Sequence, residues 1–456
     1  MSLRAADLRF VLPHEVETAV VVGEHPWARV VAAGLEAAGI GAPRSGQPPD
    51  LLVVHRSDGA RAQGRPARAK LTLGGAHRRA GALDVLVRGP VQHPITLLPL
   101  SPADSFAHYL TGIATPGRVG RARNRALANA AGVRLARRAA SIASVSLPGG
   151  VSGVVPAFVA AARHLVPGAG PNWVLQLGNG DDLQRAVFHL FESGRPRWVL
   201  KFVRVAGVSS SFERDEAGLR LAAGAGPSVA AHAPALLGRF EFGGRAASVE
   251  TAAAGRPLLG LLAKRPMQLI DDIAEWIIEL GAVTARPGAA SAVPVPGGSA
   301  EWISGLPGVL QHNDLGTWNI VTDGSGFTVV DWESARSDGL PLWDLLYFLA
   351  DALTRIDGHA DPETLLRRAL VLFRGGSPHS ARLFGWVRRA AQRLAIPAEA
   401  VGPIATLCWI HHAGSAAVRQ DGLAGAPAAA LGHLARMAEP WAAEPALGRG
   451  WSQWTE

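Results

Sequence analysis

Apolar residues along this chain follow two rhythms. Over the first hundred positions they form short runs bounded by Gly, Pro or charged residues: Thr18–Val22, Leu51–Val54, Leu71–Leu73, Asp84–Val87 and Ile95–Leu98. Runs of this length, rich in Val and Leu with turn residues at both ends, predict strands. Pro26–Ala38 instead repeats its apolar residues at helical spacing. Residues 1–145 therefore predict a small α/β unit, and 146–170, rich in Gly, Pro, Ser and Val, a linker. Beyond it, Trp173–Leu177, Val187–Phe191, Trp198–Val203 and Ala246–Glu250 predict strands, with a hairpin loop at Glu192–Arg197 and a helix over Phe212–Leu221.

From there the period changes. Leu269, Ile273, Trp276, Ile277 and Leu280 form one face of a helix over 266–281, and a Pro- and Gly-rich loop follows at 286–299. A strand–loop–strand unit spans Leu310 to Glu333, and helical segments dominate from 341 onward. The expected organisation is α/β followed by α+β: the small unit, the linker, a strand-rich lobe over 171–252 and a largely helical lobe over 253–456.

Charge is uneven. Of the net +8, residues 1–140 hold about +10 (18 Arg and one Lys against nine Asp plus Glu), leaving the remainder near −2. The basic run Arg118, Arg121, Arg123, Arg125, Arg134, Arg137 and Arg138 reads as a helix face that suits an anionic ligand or simply solvent. No aromatic residues interleave with it, so nucleic acid is not the expected partner. The single Cys408 rules out an intrachain disulfide framework and suits a reducing compartment. Residues 1–7 lack a signal-peptide layout, and the uncharged stretch 139–162 is broken by Pro and Gly. A cytoplasmic protein without a membrane span is expected; the oligomeric state is not legible. His411 and His412 beside Cys408 lie in an apolar helical run and do not predict a metal site.

Chemistry concentrates in Leu310-Gln311-His312-Asn313-Asp314-Leu315-Gly316-Thr317-Trp318-Asn319 followed by Val329-Val330-Asp331-Trp332-Glu333. The order His-x-Asp-x4-Asn and then Asp is the spacing phosphoryl transfer requires. One Asp takes the proton of an attacking hydroxyl, and an Asn with a second Asp holds Mg²⁺ against nucleotide phosphates. Lys201 is one of only three lysines and sits in the apolar strand Trp198–Val203, where a compact cation suits phosphate oxygens. Upstream, Gly178 and Gly180 mark a tight turn of the kind that lets backbone N–H groups approach phosphates. In contrast, Gly23-Glu24-His25-Pro26 lacks the second glycine of a dinucleotide turn.

These motifs resemble the aminoglycoside phosphotransferase and choline kinase-like branch of the protein-kinase fold, over about residues 170–456. The resemblance implies a two-lobed phosphotransferase domain using ATP or GTP and Mg²⁺. In it Asp314 is the catalytic base, Asn319 and Asp331 are metal ligands, and His312 braces the loop. The run Gly339–Leu346 resembles the stretch whose Asp, here Asp344, buttresses that loop. Glu250 and Ala252 fall at the hinge that meets adenine, and Glu216, with Glu213 as rival, orients Lys201. Asn313 and Trp318 are bulkier than the residues usual in this branch and bear on acceptor geometry. For residues 1–145 a degenerate Rossmann-like domain is one reading, without a specific motif behind it.

The expected function is transfer of a γ-phosphoryl group to a hydroxyl of a small molecule. From residue 360 the chain carries seven Asp plus Glu against ten Arg, which favours a neutral or anionic, sugar-like acceptor over a polycation. Two alternatives stand beside it: a catalytically weak nucleotide-binding scaffold, and an anion-binding adaptor acting through the basic N-terminal unit.

Overall fold

The computed structural model describes residues 3–74, 82–90, 93–101, 103–113, 118–139, 141–148, 154–178, 185–207, 210–290, 301–358, 360–421 and 433–443. They group into two compact units, one of Met1–Phe212 with Leu236–Ala252, the other of Glu213–Ala235 with Ala253–Glu456.

Eleven strands of the first unit form one sheet. They are β1 (Ala19–Val22), β2 (Leu51–His55), β3 (Ala69–Leu73), β4 (Ala82–Arg88), β5 (Thr96–Pro99), β6 (Ile142–Ser146), β7 (Trp173–Gln176), β8 (Ala186–Glu192), β9 (Arg195–Phe202), β10 (Leu236–Phe242) and β11 (Arg245–Thr251). Their order is β1-β2-β3-β6-β4-β5-β7-β8-β9-β11-β10. Successive side chains point to opposite faces, so burying both faces demands continuous apolar runs. Val85, Val87, Leu97, Trp173 and Leu175 accordingly join one core, while their neighbours Leu86, Leu98 and Val174 join another with Phe106 and Val133. Helix α1 (Trp27–Ala37) packs on the first face; α2 (Asp104–His108) and α4 (Ala130–Ala139) contribute to the second, with α3 (Arg118–Leu127) ahead of α4 and α5 (Ala157–Ala161) in the first core.

Three expectations change here. The Rossmann-like order is not confirmed: β1 lies at the sheet edge rather than its centre, only β1-β2-β3 run parallel, and β6, β4 and β5 are antiparallel. Within the stretch read as a linker, the described residues 154–170 are packed structure. Strand β6 ends inside it, α5 buries Phe158, and β5 pairs with β7 (Leu97 with Leu175), so the sheet continues across it. The basic run forms two helices, because the Asn129 side chain caps the Gly132 amide at 3.0 Å and starts α4.

In the second unit, α6 (Ser210–Gly224, from Glu213 on) and α7 (Pro227–Ala230) precede β12 (Arg256–Pro257) and α8 (Met267–Thr284). Of the apolar face read from the sequence, Ile273, Trp276, Ile277 and Leu280 are buried in α8 and Leu269 is half-buried, while Ile270 turns inward in its place. Strand β13 (Val309–Gln311) pairs with β16 (Arg336–Gly339), and β14 (Ile320–Thr322) with β15 (Phe327–Val329) and β12. Helices α9 (Trp343–Arg355), α10 (Pro362–Phe373), α11 (Ser380–Arg393), α12 (Ala398–Asp421) and α13 (Ala438–Ala443) complete the unit. Among the described residues no single helix is long and apolar enough to cross a membrane.

Candidate active site

The loop after β13 is held mainly by backbone hydrogen bonds to carboxylates on α9. Asp344 is buried and accepts the amides of His312 at 2.6 Å and Asn313 at 2.8 Å, one per oxygen. Burial pushes its carboxyl up to about 7; the two amides pull the other way, and the charge of Asp314 adds to the rise. The buttressing role implied by the family resemblance is thus matched by direct contacts. A second buttress, Asp351, was not read from the sequence. It is fully buried and accepts both the amide (3.0 Å) and the hydroxyl (2.5 Å) of Thr317, while Arg355 Nε donates to it at 2.6 Å. The signal was available: Asp344 and Asp351 are seven residues apart, two helical turns, so both lie on one face of an otherwise apolar helix.

His312 is fully buried and edge-on to Trp332, with centroids 4.9 Å apart. Its Nδ1 accepts the Asp314 amide at 3.3 Å, which places the ring proton on Nε2, the donor to the Val330 carbonyl at 3.0 Å. One neutral tautomer thereby joins the Asp314 loop to the strand leading to Asp331. Asn313 and Asp331 have φ of +65° and +68°. Asn and Asp are the non-glycine residues that best tolerate that region, so Asn313 has a backbone reason to stand there.

Asn319 Nδ2 donates to the Asp314 carbonyl at 2.9 Å and to its carboxylate at 3.2 Å. With the amide nitrogen engaged there, the Oδ1 is the atom that remains for a cation. The Val330 amide donates to the Asn319 carbonyl at 2.8 Å, and Ile320 lies opposite Val329, so the hairpin register brings Asn319 and Asp331 to the same end of β14 and β15. Hard oxygen donors of this kind suit Mg²⁺. Among the described residues no group of three His, Cys, Asp or Glu could hold a metal unaided, so Mg²⁺ here would complete its shell with water and phosphate oxygens. Helix α6 lies against this region: a Cβ on Gly218 would come within 2.4 Å of the Trp332 carbonyl.

Trp318, half-buried, lies over Gly316, where a Cβ would meet the indole at 2.4 Å, and stands edge-on to Tyr347 with centroids 6.0 Å apart. Tyr347 in turn stacks on His412 at 3.9 Å.

In the first unit, Lys201 is buried in β9 and its Nζ lies 3.0 Å from Glu250 Oε1. Lys201 faces Ser248 and Val199 faces Glu250, so the pair is diagonal on one face of the β9–β11 ladder. The sequence placed Glu250 at the hinge; its role as a partner of Lys201 depends on this cross-strand register. The Ala252 amide donates to the Arg197 carbonyl at 2.9 Å. Gly178 has φ of +67°, as a tight turn requires; Gly180 lies outside the described residues. Glu216 sits on α6 and pairs with Arg220 at 2.5 Å, while its rival Glu213 is exposed on the same helix.

Residues 289–384 match the family described as Phosphotransferase enzyme family, the same family the sequence motifs resemble. The match spans Asp314, Asn319, Asp331 and both buttresses, and supports a phosphotransferase with a hydroxyl acceptor. A comparison with curated proteins finds no match. Similar solved structures include a thermostable mutant of aminoglycoside phosphotransferase APH(4)-Ia in ternary complex with ADP and hygromycin B (13% identity, 65% of this chain and 98% of that chain, TM-score 0.37). The bifunctional kinase-methyltransferase WbdD is another (11% identity, 82% and 78%, TM-score 0.29), as is a mutant of the PknI kinase domain from Mycobacterium tuberculosis (16% identity, 59% and 95%, TM-score 0.23). At TM-scores this low, none of the three bears on what this chain does.

Proposed function

We propose that this chain is a small-molecule kinase of protein-kinase-like, two-lobed design, transferring the γ-phosphoryl group of ATP or GTP to a hydroxyl. The observation that carries the proposal is the hydrogen bond between Asn319 and Asp314, which fixes base and metal ligand together on a loop buttressed by Asp344 and Asp351. Asp314 is partly exposed and would orient and accept the acceptor proton. Asn319 and Asp331 would hold Mg²⁺, which when bound neutralises charge on the phosphates. Lys201, paired with Glu250, is assigned to phosphate oxygens; Gly178 and the Ala252 carbonyl are assigned to the nucleotide. Little covalent work falls to the protein, so positioning and charge compensation account for most of the rate.

The acceptor is proposed as a neutral or anionic hydroxyl compound, sugar-like in shape. The charge balance beyond residue 360 supports this, and so does the apolar indole of Trp318 four residues from Asp314. A cytoplasmic setting would supply the nucleotide.

Thermal denaturation with Mg²⁺ and ATP or GTP tests the proposal. Ligand at about 100 times its dissociation constant adds about 2.7 kcal/mol. A stabilisation that requires Mg²⁺ and shrinks in Asp331→Asn is expected. Its absence with both nucleotides would exclude a kinase.

A further inference from the structure

The residues ahead of the first strand take no part in the chemistry above, yet their charges turn inward. Leu3–Val11 is a 3₁₀ helix in which Arg4 and Asp7 are each 1% exposed and Arg9 8%. Arg4 Nη1 donates to the carbonyls of Leu177 (3.1 Å) and Gly178 (2.8 Å), the residues just past β7. Asp7 Oδ2 accepts Arg204 Nη1 at 2.9 Å, and Arg9 Nη2 donates to the Arg204 carbonyl at 3.4 Å. Phe10 stands edge-on to Phe202, with centroids 4.9 Å apart. Phe202 and Arg204 are the residues that follow Lys201 in and just beyond β9.

Three buried charges are a poor means of stabilising a fold, since desolvation offsets most of what pairing returns, and well-packed apolar residues would serve as well. What they supply instead is fixed geometry. A guanidinium forked onto two consecutive carbonyls sets the direction of the chain leaving β7, and a buried ion pair fixes where β9 ends. Both points border groups assigned above to the nucleotide: Gly178 on one side, Lys201 on the other.

We propose that the Leu3–Val11 helix is a positioning element for nucleotide binding, with Arg4 fixing the turn at Gly178 and Asp7 fixing the strand end beyond Lys201. The inference rests on the kinase assignment above. It gives the N-terminal residues a part in the reaction without any contact with substrate.

The test uses the full-length protein and compares Arg4→Met, Arg4→Lys and Asp7→Asn with wild type. The readouts are MgATP affinity by calorimetry and Tm without nucleotide. Displacing phosphate-binding groups by about 1 Å costs on the order of 10- to 100-fold, so Arg4→Met and Asp7→Asn should weaken MgATP by about tenfold or more. Arg4→Lys should recover part of that loss. Leu52→Ala, a core change on β2 outside this contact set, should lower Tm and leave MgATP affinity unchanged. If Arg4→Met fails to fold, Arg4→Lys and Asp7→Asn still decide. Wild-type affinity in the folded variants, whatever their Tm, overturns the inference while leaving the kinase assignment intact. Failure of wild type to bind MgATP overturns both.

Discussion

The two units bury carboxylates in different ways. In the first, a carboxylate is met by a cation far away in sequence: Glu250 by Lys201, Asp7 by Arg204. In the second, Asp344 is met by backbone amides and Asp351 by an amide, a hydroxyl and the neighbouring Arg355. An ion pair keeps two side chains charged; a carboxylate bonded to amides shapes a loop. The first arrangement suits a residue that must present charge to a ligand. The second suits a loop whose backbone must hold catalytic groups within a fraction of an ångström.

If this contrast holds, substitutions should separate activity from stability. The largest effect is expected at the proposed base and the proposed metal ligand. Asp314→Asn and Asp331→Asn should each lower turnover by on the order of 10³-fold, while Tm stays within a few degrees of wild type. A matched loss of Tm would show instead that these residues hold the fold. In the first unit the balance should reverse. Glu250→Gln leaves the Lys201 ammonium buried beside a neutral partner, so a destabilisation of about 3 kcal/mol is expected in chemical denaturation. An unchanged midpoint would mean that other contacts of Lys201 suffice.

The pH dependence should carry opposite signs at buried histidines, His433 of the second unit among them, and at buried carboxyls such as Asp344 and Asp7. Burial holds His189 down to about 3 and His108 to about 4, so the folded first unit keeps both neutral. As pH falls below the usual 6.5, the unfolded chain takes up protons that the folded one refuses, and stability is lost toward pH 4. Asp344 behaves in reverse: with its carboxyl near 7, the folded state holds a proton between about pH 4 and 7 that the unfolded chain has released. That contribution is complete at acid pH and fades as pH rises through 7. Chemical denaturation followed across pH in wild type and two variants would resolve the two slopes. His189→Phe should flatten the acid limb and Asp344→Asn the neutral one.

The smallest effect is expected at Trp318. Trp318→Ala should raise the acceptor KM by roughly two- to tenfold and leave nucleotide affinity alone, as loss of one aromatic face implies. A larger effect on nucleotide would move the indole away from the acceptor.

The same contrast explains what was legible in the sequence. His312, Asp314, Asn319 and Asp331 lie within 20 residues, and the strand–loop–strand rhythm around them carries the geometry. Apolar runs gave β1 to β5, β7 to β9 and the inward face of α8. Strand β6 was hidden because Ile142–Ser146 sits in an uncharged Ala- and Ser-rich stretch, and its place between β3 and β4 is a non-local pairing. Strand β10 was hidden for another reason: Leu236–Phe242 lies at the sheet edge with alternate residues exposed, and Gly238, Arg239 and Glu241 break up its apolar residues. The partners of Lys201 and Arg4 stand 49 and more than 170 residues away, and no local rule links them. Only the register of β9 on β11 and the seating of the first helix do so.

The indole of Trp318 resting on Gly316 also constrains how this loop can change over evolutionary time. Any side chain at 316 would enter the space the ring now fills, at 2.4 Å from its first atom. Position 318 must therefore move its ring or shrink before position 316 can grow. The two sites are coupled: a change at one is felt first at the other, before any more distant part of the loop.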